Sequence, residues 1–570
     1  MQIKPARKAS KCFFIIVACL AVTLGAAARA DAQRELGVRP DESGGPLMPE
    51  QAAYDVKFYD LALKINPTEQ SISGALTAEA LIVHPIEWFV LDLDAPLTVS
   101  AVASLDSNNR PESLKYERRG GKIWIAFPNT KQPGETVKVR VDYRGRPRVA
   151  PRPPWVGGFV WAKTAGGDPW VGVACQIDGA DLWWPCKDHP SDEPDRGVAL
   201  HITVAENLIV AANGRLQNVT KNKDGTHTYH WLTSTPINNY DVTINVAPYR
   251  VIEGTYRSIS GETFPVTFWA LPESHDQAQK LFPRLLEYIK FYEDRLGPYP
   301  FRAEKLGIAQ TAYLGMEHQT INAYGNDFKM NAYGFDGLMF HELGHEWWGN
   351  LVTALDWRDF WLHEGFDSYM DALYAGELRG EAGYRQYMAG MRKGIRNQQP
   401  VAPREARTAM QIYMAAPDYL ASDGDIYSKG AWTLHTLRYL IGDEAFFVAL
   451  RRMAYPNAEL ERVTNGRQCR FATTDDFRRT AEEASGMKLD WFFDIYLRQP
   501  QLPRLIVTKQ PDELTLAWET PGDISFPMPI EIKVGDRVQK IEMHGGAGRV
   551  SIAAGAQIVI DPHERILKAD

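Results

Sequence analysis

Near the middle of the chain, His341-Glu342-Leu343-Gly344-His345 sets two imidazoles and a carboxylate within about one helical turn. Residues i and i+4 share one face of a helix, about 6 Å apart along its axis. Two imidazoles so placed can bind one zinc ion, and Glu342 then projects beside the ion toward water. A pattern this short also arises by chance, so a third ligand decides the matter.

Gly349-Asn350 can end this first helix, and Asp359 can cap a second one. On the second, Leu362, Phe366, Met370 and Leu373 form an apolar stripe. Glu364, Asp367, Ser368 and Asp371 fall on the opposite face, where Glu364 has two readings. It is a solvated surface carboxylate, or it turns across an antiparallel helix pair and completes a metal site with His341 and His345. The second arrangement leaves one position open, which zinc hydrolysis needs, because the ion acidifies water and polarises a carbonyl. Glu342 would take the water's proton and pass it to a leaving amine.

The elements that must hold these residues show in the periodicity. From Tyr54 to about Val251 short alternating segments are broken by turn residues, as in Asp60–Ile65, Thr136–Val141, His201–Val204 and Asp241–Val246. Near residue 274 the pattern changes. Ser274 can cap a helix carrying Leu281, Leu285, Ile289 and Leu296, with Pro283 expected to kink or shorten its first turns. Further helices are expected around 336–348, 360–375, 428–441 and 475–485. Alternation returns after Pro503, in Arg504–Val507 and Ile530–Val534. The organisation read from this is a multidomain α+β chain. It has a signal peptide over 1–32, a flexible leader over 33–50, an N-terminal β saddle or sandwich over 51–252, a mostly helical catalytic domain over 253–500 and a small C-terminal β-sandwich over 501–570.

The first residues read as an export signal. Lys4, Arg7, Lys8 and Lys11 precede an apolar run from Phe13 to Leu24, and small residues follow, with cleavage expected after Ala30 or Ala32. That predicts a periplasmic or secreted protein with no stable membrane span in the mature chain. An uncleaved anchor and, through Cys19, a lipid-anchored form stay open. With 570 residues, 45% of them hydrophobic and 24% charged, the chain is an ordinary soluble protein of several domains. A net charge of −8 argues against nucleic acid or an anionic membrane as the main partner. Cleavage leaves Cys175, Cys186 and Cys469, an odd set without zinc-ligand spacing. Oligomeric state is left open; a monomer is compatible with everything above.

His341 to His345, then eighteen residues, then Glu364 resembles the gluzincin zinc aminopeptidases, typified by aminopeptidase N and leukotriene-A hydrolase. More segments match in order. Gly315-Met316-Glu317-His318 lies where the family carries Gly-x-Met-Glu-Asn, and Trp361–Phe366 resembles its Trp-Leu-Asn-Glu-Gly-Phe. Tyr427-Ser428-Lys429-Gly430 resembles its Tyr-Glu-Lys-Gly, and Trp184–Asp188 echoes a further signature. The resemblance implies a thermolysin-like catalytic domain and one zinc on His341, His345 and Glu364, with Glu342 as general base. It implies that Glu317 grips a peptide's free α-ammonium group, and that Gln176 lines the first-residue pocket and helps hold the same amine. Gly315 and Met316 would line the substrate strand, and Tyr427 would donate to the oxyanion. The substrates implied are peptides with a free N-terminus.

Some positions depart from the family. Leu314 and His318 stand where it has Gly and Asn, Glu346 adds a carboxylate after the second histidine, and structural reasons suffice for Lys429 and Asn350. The family's large helical C-terminal domain has no counterpart in the pattern, so a more open cleft is expected. The rival readings are an epoxide hydrolase or an endopeptidase on the same zinc site, and a non-catalytic binding scaffold on the same fold.

Overall fold

The structure, a computed structural model, describes residues 43–413 and 424–569. The segment read as an export signal and most of the leader lie outside the described residues. Among those described, no helix is long and apolar enough to cross a membrane.

The alternating segments of the first half form sheets. Tyr54–Asn66 lies inside an eight-stranded sheet, antiparallel to Ser71–Ile82 on one side and parallel to Val198–Ala205 on the other. Thr136–Gly145 continues the sheet, its buried positions Val137, Val139, Val141 and Tyr143 alternating with more exposed ones. Period-two patterning thus buries one face against the core and leaves the other wet. A four-stranded sheet carries the strand Pro169–Ala174, which runs directly into Gln176. One expected strand is shorter than its pattern. Asn239–Asp241 is a tight turn in which the Asn238 side chain accepts from Tyr240 N, and the strand is only Ile244–Ala247.

The second half is mainly helical, built against a five-stranded sheet whose last strand, Gly315–Met316, pairs antiparallel with Asn322–Tyr324. Helix α1 is His275–Leu296, α2 is Gly337–Gly344 and α3 is Trp361–Arg392, broken at Gly380 (φ 67°). Helix α4 is Ala409–Tyr413 and α5 is Asp425–Ile441. After Pro503 two three-stranded sheets follow, including Arg504–Lys509 and Ile530–Val534.

Several local expectations are corrected. Helix α1 runs unshortened through Pro283, because the proline and Gln279, whose carbonyl it frees, are both exposed and water can satisfy that group. Ser274 does not cap with its side chain; its hydroxyl takes a hydrogen bond from Gln310 Nε2. Asp359 does not cap α3 either; its carboxylate accepts from the backbone and hydroxyl of Thr474. Helix α2 stops at Gly344, before Gly349-Asn350. The three described cysteines are free.

The contact that matters most for the site is the crossing of α3 and α5. A Cβ on Gly365 would stand 2.8 Å from the Ile426 carbonyl and 2.9 Å from Gly430 Cα, and one on Gly430 would stand 2.9 Å from Gly365 Cα. Two glycines therefore let these backbones touch, which brings Glu364 and Tyr427 side by side. Replacing Gly430 by Ala wedges the pair apart. It is expected to cost about 1–3 kcal/mol of stability, the usual penalty for overpacking, and to weaken metal binding. Thermal unfolding and a chelator titration check both; an unchanged metal affinity would show that the crossing does not set the site.

Candidate metal centre and active site

Helices α2 and α3 bring three donors to one point. His341 lies on α2, and His345 follows its last residue with helical angles (φ −62°, ψ −16°), so the one-turn spacing survives. Nε2 of each imidazole is 3.5 Å from Glu364 Oε2. Donors about 2.0–2.1 Å from a tetrahedral zinc stand roughly 3.3 Å apart, so little movement is needed.

The remaining nitrogens fix the tautomers. His345 Nδ1 donates to the Trp348 carbonyl at 2.8 Å, and His341 Nδ1 meets Asp371 Oδ2 at 3.2 Å, with Asp367 Oδ2 at 3.4 Å. With Nδ1 donating, each Nε2 offers its lone pair inward. Glu364 Oε2 is buried without a hydrogen-bond partner among the described residues, while Oε1 accepts from the Tyr413 and Tyr427 hydroxyls at 2.7 and 2.8 Å. An orphaned carboxylate oxygen between two inward lone pairs fits a divalent ion.

The charge balance agrees. Burial works against a charged His341, but Asp367 and Asp371 outweigh it and hold the imidazole well above its ordinary value. At His345 burial is likewise outweighed, by Glu317, Asp367 and Glu364, which push it up to about 10. Burial alone would raise Glu364, yet the adjacent His341 and His345 hold it low. Carboxylates that draw protons onto buried imidazoles make a site that favours positive charge, and a metal there would take the protons' place.

The other sequence-predicted residues line the same cavity of about 550 Å³: Gln176, Gly315, Met316, Glu317, Glu342 and Tyr427. Glu342 is buried, its carboxyl within 4.8 Å of ligand atoms of Glu317 and His345. Burial pushes it up to about 8; His341 opposes the rise and Glu317 adds to it. Gly315 leaves room for this side chain, since a Cβ there would run into Glu342 Oε1. Glu317 Oε1 accepts from Gln176 Nε2 at 2.7 Å and from the Tyr240 hydroxyl at 3.2 Å. Burial raises its pKa, against the pull of His345. The β half of the chain thus supplies Gln176 and Tyr240, and the helical half supplies the rest.

Sequence reasoning missed four residues. Asp367 and Asp371, placed on the face opposite the apolar stripe but given no role, are buried beside His341. The signal was available, since both follow Glu364 at helical spacing on its own face. Tyr240 and Tyr413 carry no spacing rule that could have marked them. The departures also find their places. Leu314 is exposed at the cavity's lip, and His318 is fully buried, held down to about 3 by that burial. Glu346 accepts from Thr320 N and Asn322 Nδ2, tying the sheet to the end of α2. Asn350 donates to the Glu317 carbonyl, and Lys429 to the Gln499 and Pro500 carbonyls.

Comparison with known proteins places this geometry. The Peptidase M1 N-terminal domain matches residues 56–240, and the Peptidase family M1 domain matches residues 285–496. Aminopeptidase N of Lactococcus lactis subsp. lactis is 30% identical, the alignment covering 89% of this chain and 61% of that protein. Aminopeptidase N of Haemonchus contortus is 25% identical over 70% of this chain and 44% of that protein. For the leukotriene A-4 hydrolase of Xenopus laevis the figures are 25%, 59% and 54%. The chain therefore spans about half the length of the curated relatives it matches. Among solved structures, a two-domain M1 zinc metallopeptidase variant bound to L-tryptophan superposes with a TM-score of 0.63 at 23% identity, covering 81% of this chain and 98% of that one. The fold also matches an M1 zinc metallopeptidase variant of Deinococcus radiodurans bound to a Tyr-Ser-Ala substrate, with TM-score 0.61, 24% identity and coverages of 79% and 95%. Both halves of one architecture are matched in order along this chain, which belongs to peptidase family M1.

Proposed function

We propose that the chain is a zinc-dependent aminopeptidase that removes the N-terminal residue from peptides. The observation that carries this reading is the pairing of two buried carboxylates beside His345. Glu342 and Glu317 lie within ligand-atom reach of that imidazole and of each other. One suits a base, the other an anchor for a cation.

His341, His345 and Glu364 would hold the zinc, which when bound polarises the scissile carbonyl and acidifies water. Glu317 accepts the substrate's α-ammonium group, and Gln176 and Tyr240 fix the orientation of its carboxylate. A charge-assisted contact at a set distance from the base admits only the first peptide bond. Glu342 takes a proton from water and returns it to the leaving amine; a carboxyl raised by burial is suited to both tasks near neutral pH. Tyr427 donates its hydroxyl where negative charge develops on the substrate oxygen. Burial of Glu317 and Glu342 strengthens their interactions.

A zinc-loaded sample offered aminoacyl chromogenic substrates, with free and N-acetylated peptides side by side, tests the reading. Rapid release from free amines and poor cleavage of acetylated peptides are expected. Equal cleavage of both would overturn the exopeptidase assignment. The basic, apolar and small-residue run over residues 4–32 supports action outside the cytoplasm. Export is tested by N-terminal sequencing of the extracytoplasmic protein: a start at Asp31 or Gln33 supports it, and a chain confined to the cytoplasm and still starting at Met1 refutes it.

A further inference from the structure

Two phenols meet on one oxygen of Glu364, and the mechanism above uses only one of them. The Tyr413 hydroxyl lies 2.7 Å and the Tyr427 hydroxyl 2.8 Å from Glu364 Oε1, with 3.3 Å between the hydroxyls. Tyr413 ends α4, is buried, and packs its ring edge-on to Phe360 at 5.2 Å. These two phenols are the short donors to Oε1, and Oε2 is left to face the imidazoles.

That arrangement poses a conflict. Tyr427 cannot give its one proton to Glu364 and to a developing oxyanion at the same moment. When it turns to the substrate, Oε1 keeps Tyr413 and only a long contact from Gln176 Nε2 at 3.4 Å. Without Tyr413, that long contact alone would hold the buried ligand oxygen at the step that needs the ligand held still, and the carboxylate could rotate. We propose that Tyr413 is a positioning residue, a tether on the outer oxygen of Glu364 that holds the metal ligand in place and frees Tyr427 for the substrate.

This inference rests on the zinc aminopeptidase reading, and the experiment separates the two. Zinc affinity is measured by chelator competition on the full chain for wild type, Tyr413→Phe, Tyr427→Phe and the double variant, together with kcat, KM and unfolding of the metal-free protein. Phe keeps the ring packed on Phe360. Tyr413→Phe is expected to weaken zinc binding by about ten- to a hundredfold, the usual effect of deleting a partner of a metal ligand. The metal-free protein should unfold as wild type does, and kcat should fall with KM little changed, because Glu317 is untouched. In the Tyr427→Phe background, where Tyr413 is the remaining phenol, the same change should weaken zinc binding at least as much. Unchanged zinc affinity in either background would overturn the proposal, as would a metal-free protein that is already destabilised, which would assign the hydroxyl to folding. A wild-type chain that binds no zinc would overturn the zinc reading itself, and this proposal with it.

Discussion

Replacing Glu342 by Gln is expected to lower kcat by about 10²–10⁴-fold, the contribution of a positioned general base, while the protein keeps its zinc. Gln matches the shape of Glu but cannot accept a proton at neutral pH. The space made by Gly315 would still be filled and helix α2 would not move. Zinc should remain because the donors that converge are those of His341, His345 and Glu364. Parallel metal analysis and steady-state kinetics decide the point. Turnover within a few-fold of wild type would remove Glu342 from the chemistry; loss of zinc would instead make it part of the metal's support.

The second large effect is expected at Glu317. Changing it to Gln removes the negative charge proposed to face an α-ammonium group but leaves an oxygen to accept from Gln176 and Tyr240. A hydrogen bond to a charged group is worth about 1.5–3 kcal/mol, or roughly ten- to a hundredfold in kcat/KM for substrates with a free amine. The more telling result is a ratio. Wild type should prefer free over acetylated peptides strongly, and Glu317→Gln should bring that preference close to unity. If the variant kept the wild-type preference, the amine would be held elsewhere. Its zinc affinity should stay near that of wild type, which separates a binding defect from a damaged metal centre.

The histidine pair was legible because its spacing is set by helix geometry, whereas Glu364 was singled out by the family resemblance. His341 and His345 must share a face at i and i+4, and no tertiary contact changes that. The β-to-helix change near residue 274 was legible for the same reason, since periods of two and 3.6 differ along any few residues. What escaped depends on packing between elements. Helix α3 shows in sequence an apolar stripe and an opposite polar face, which could be wet or turned inward. It sits in the middle of the fold, so Asp367 and Asp371 on its polar side are buried against His341. Gly365 and Gly430 looked neutral in sequence; their meaning appears only when α3 and α5 cross with their backbones in contact. Tyr240 sits in a turn far from the helices in sequence, and its hydroxyl reaches Glu317 because two sheets converge on the cavity. Caps failed for a related reason. Ser274 and Asp359 have better partners across the fold, in Gln310 and Thr474, than the helix ends they precede.

Everything rests on α2 and α3 delivering two imidazoles and one carboxylate to a single ion. Anomalous diffraction at the zinc edge from crystals of the zinc-loaded protein measures this directly. A peak about 2.0–2.3 Å from His341 Nε2, His345 Nε2 and Glu364 Oε2 is expected. A zinc ion bound elsewhere, or one held by the histidines with Glu364 turned away, would contradict it.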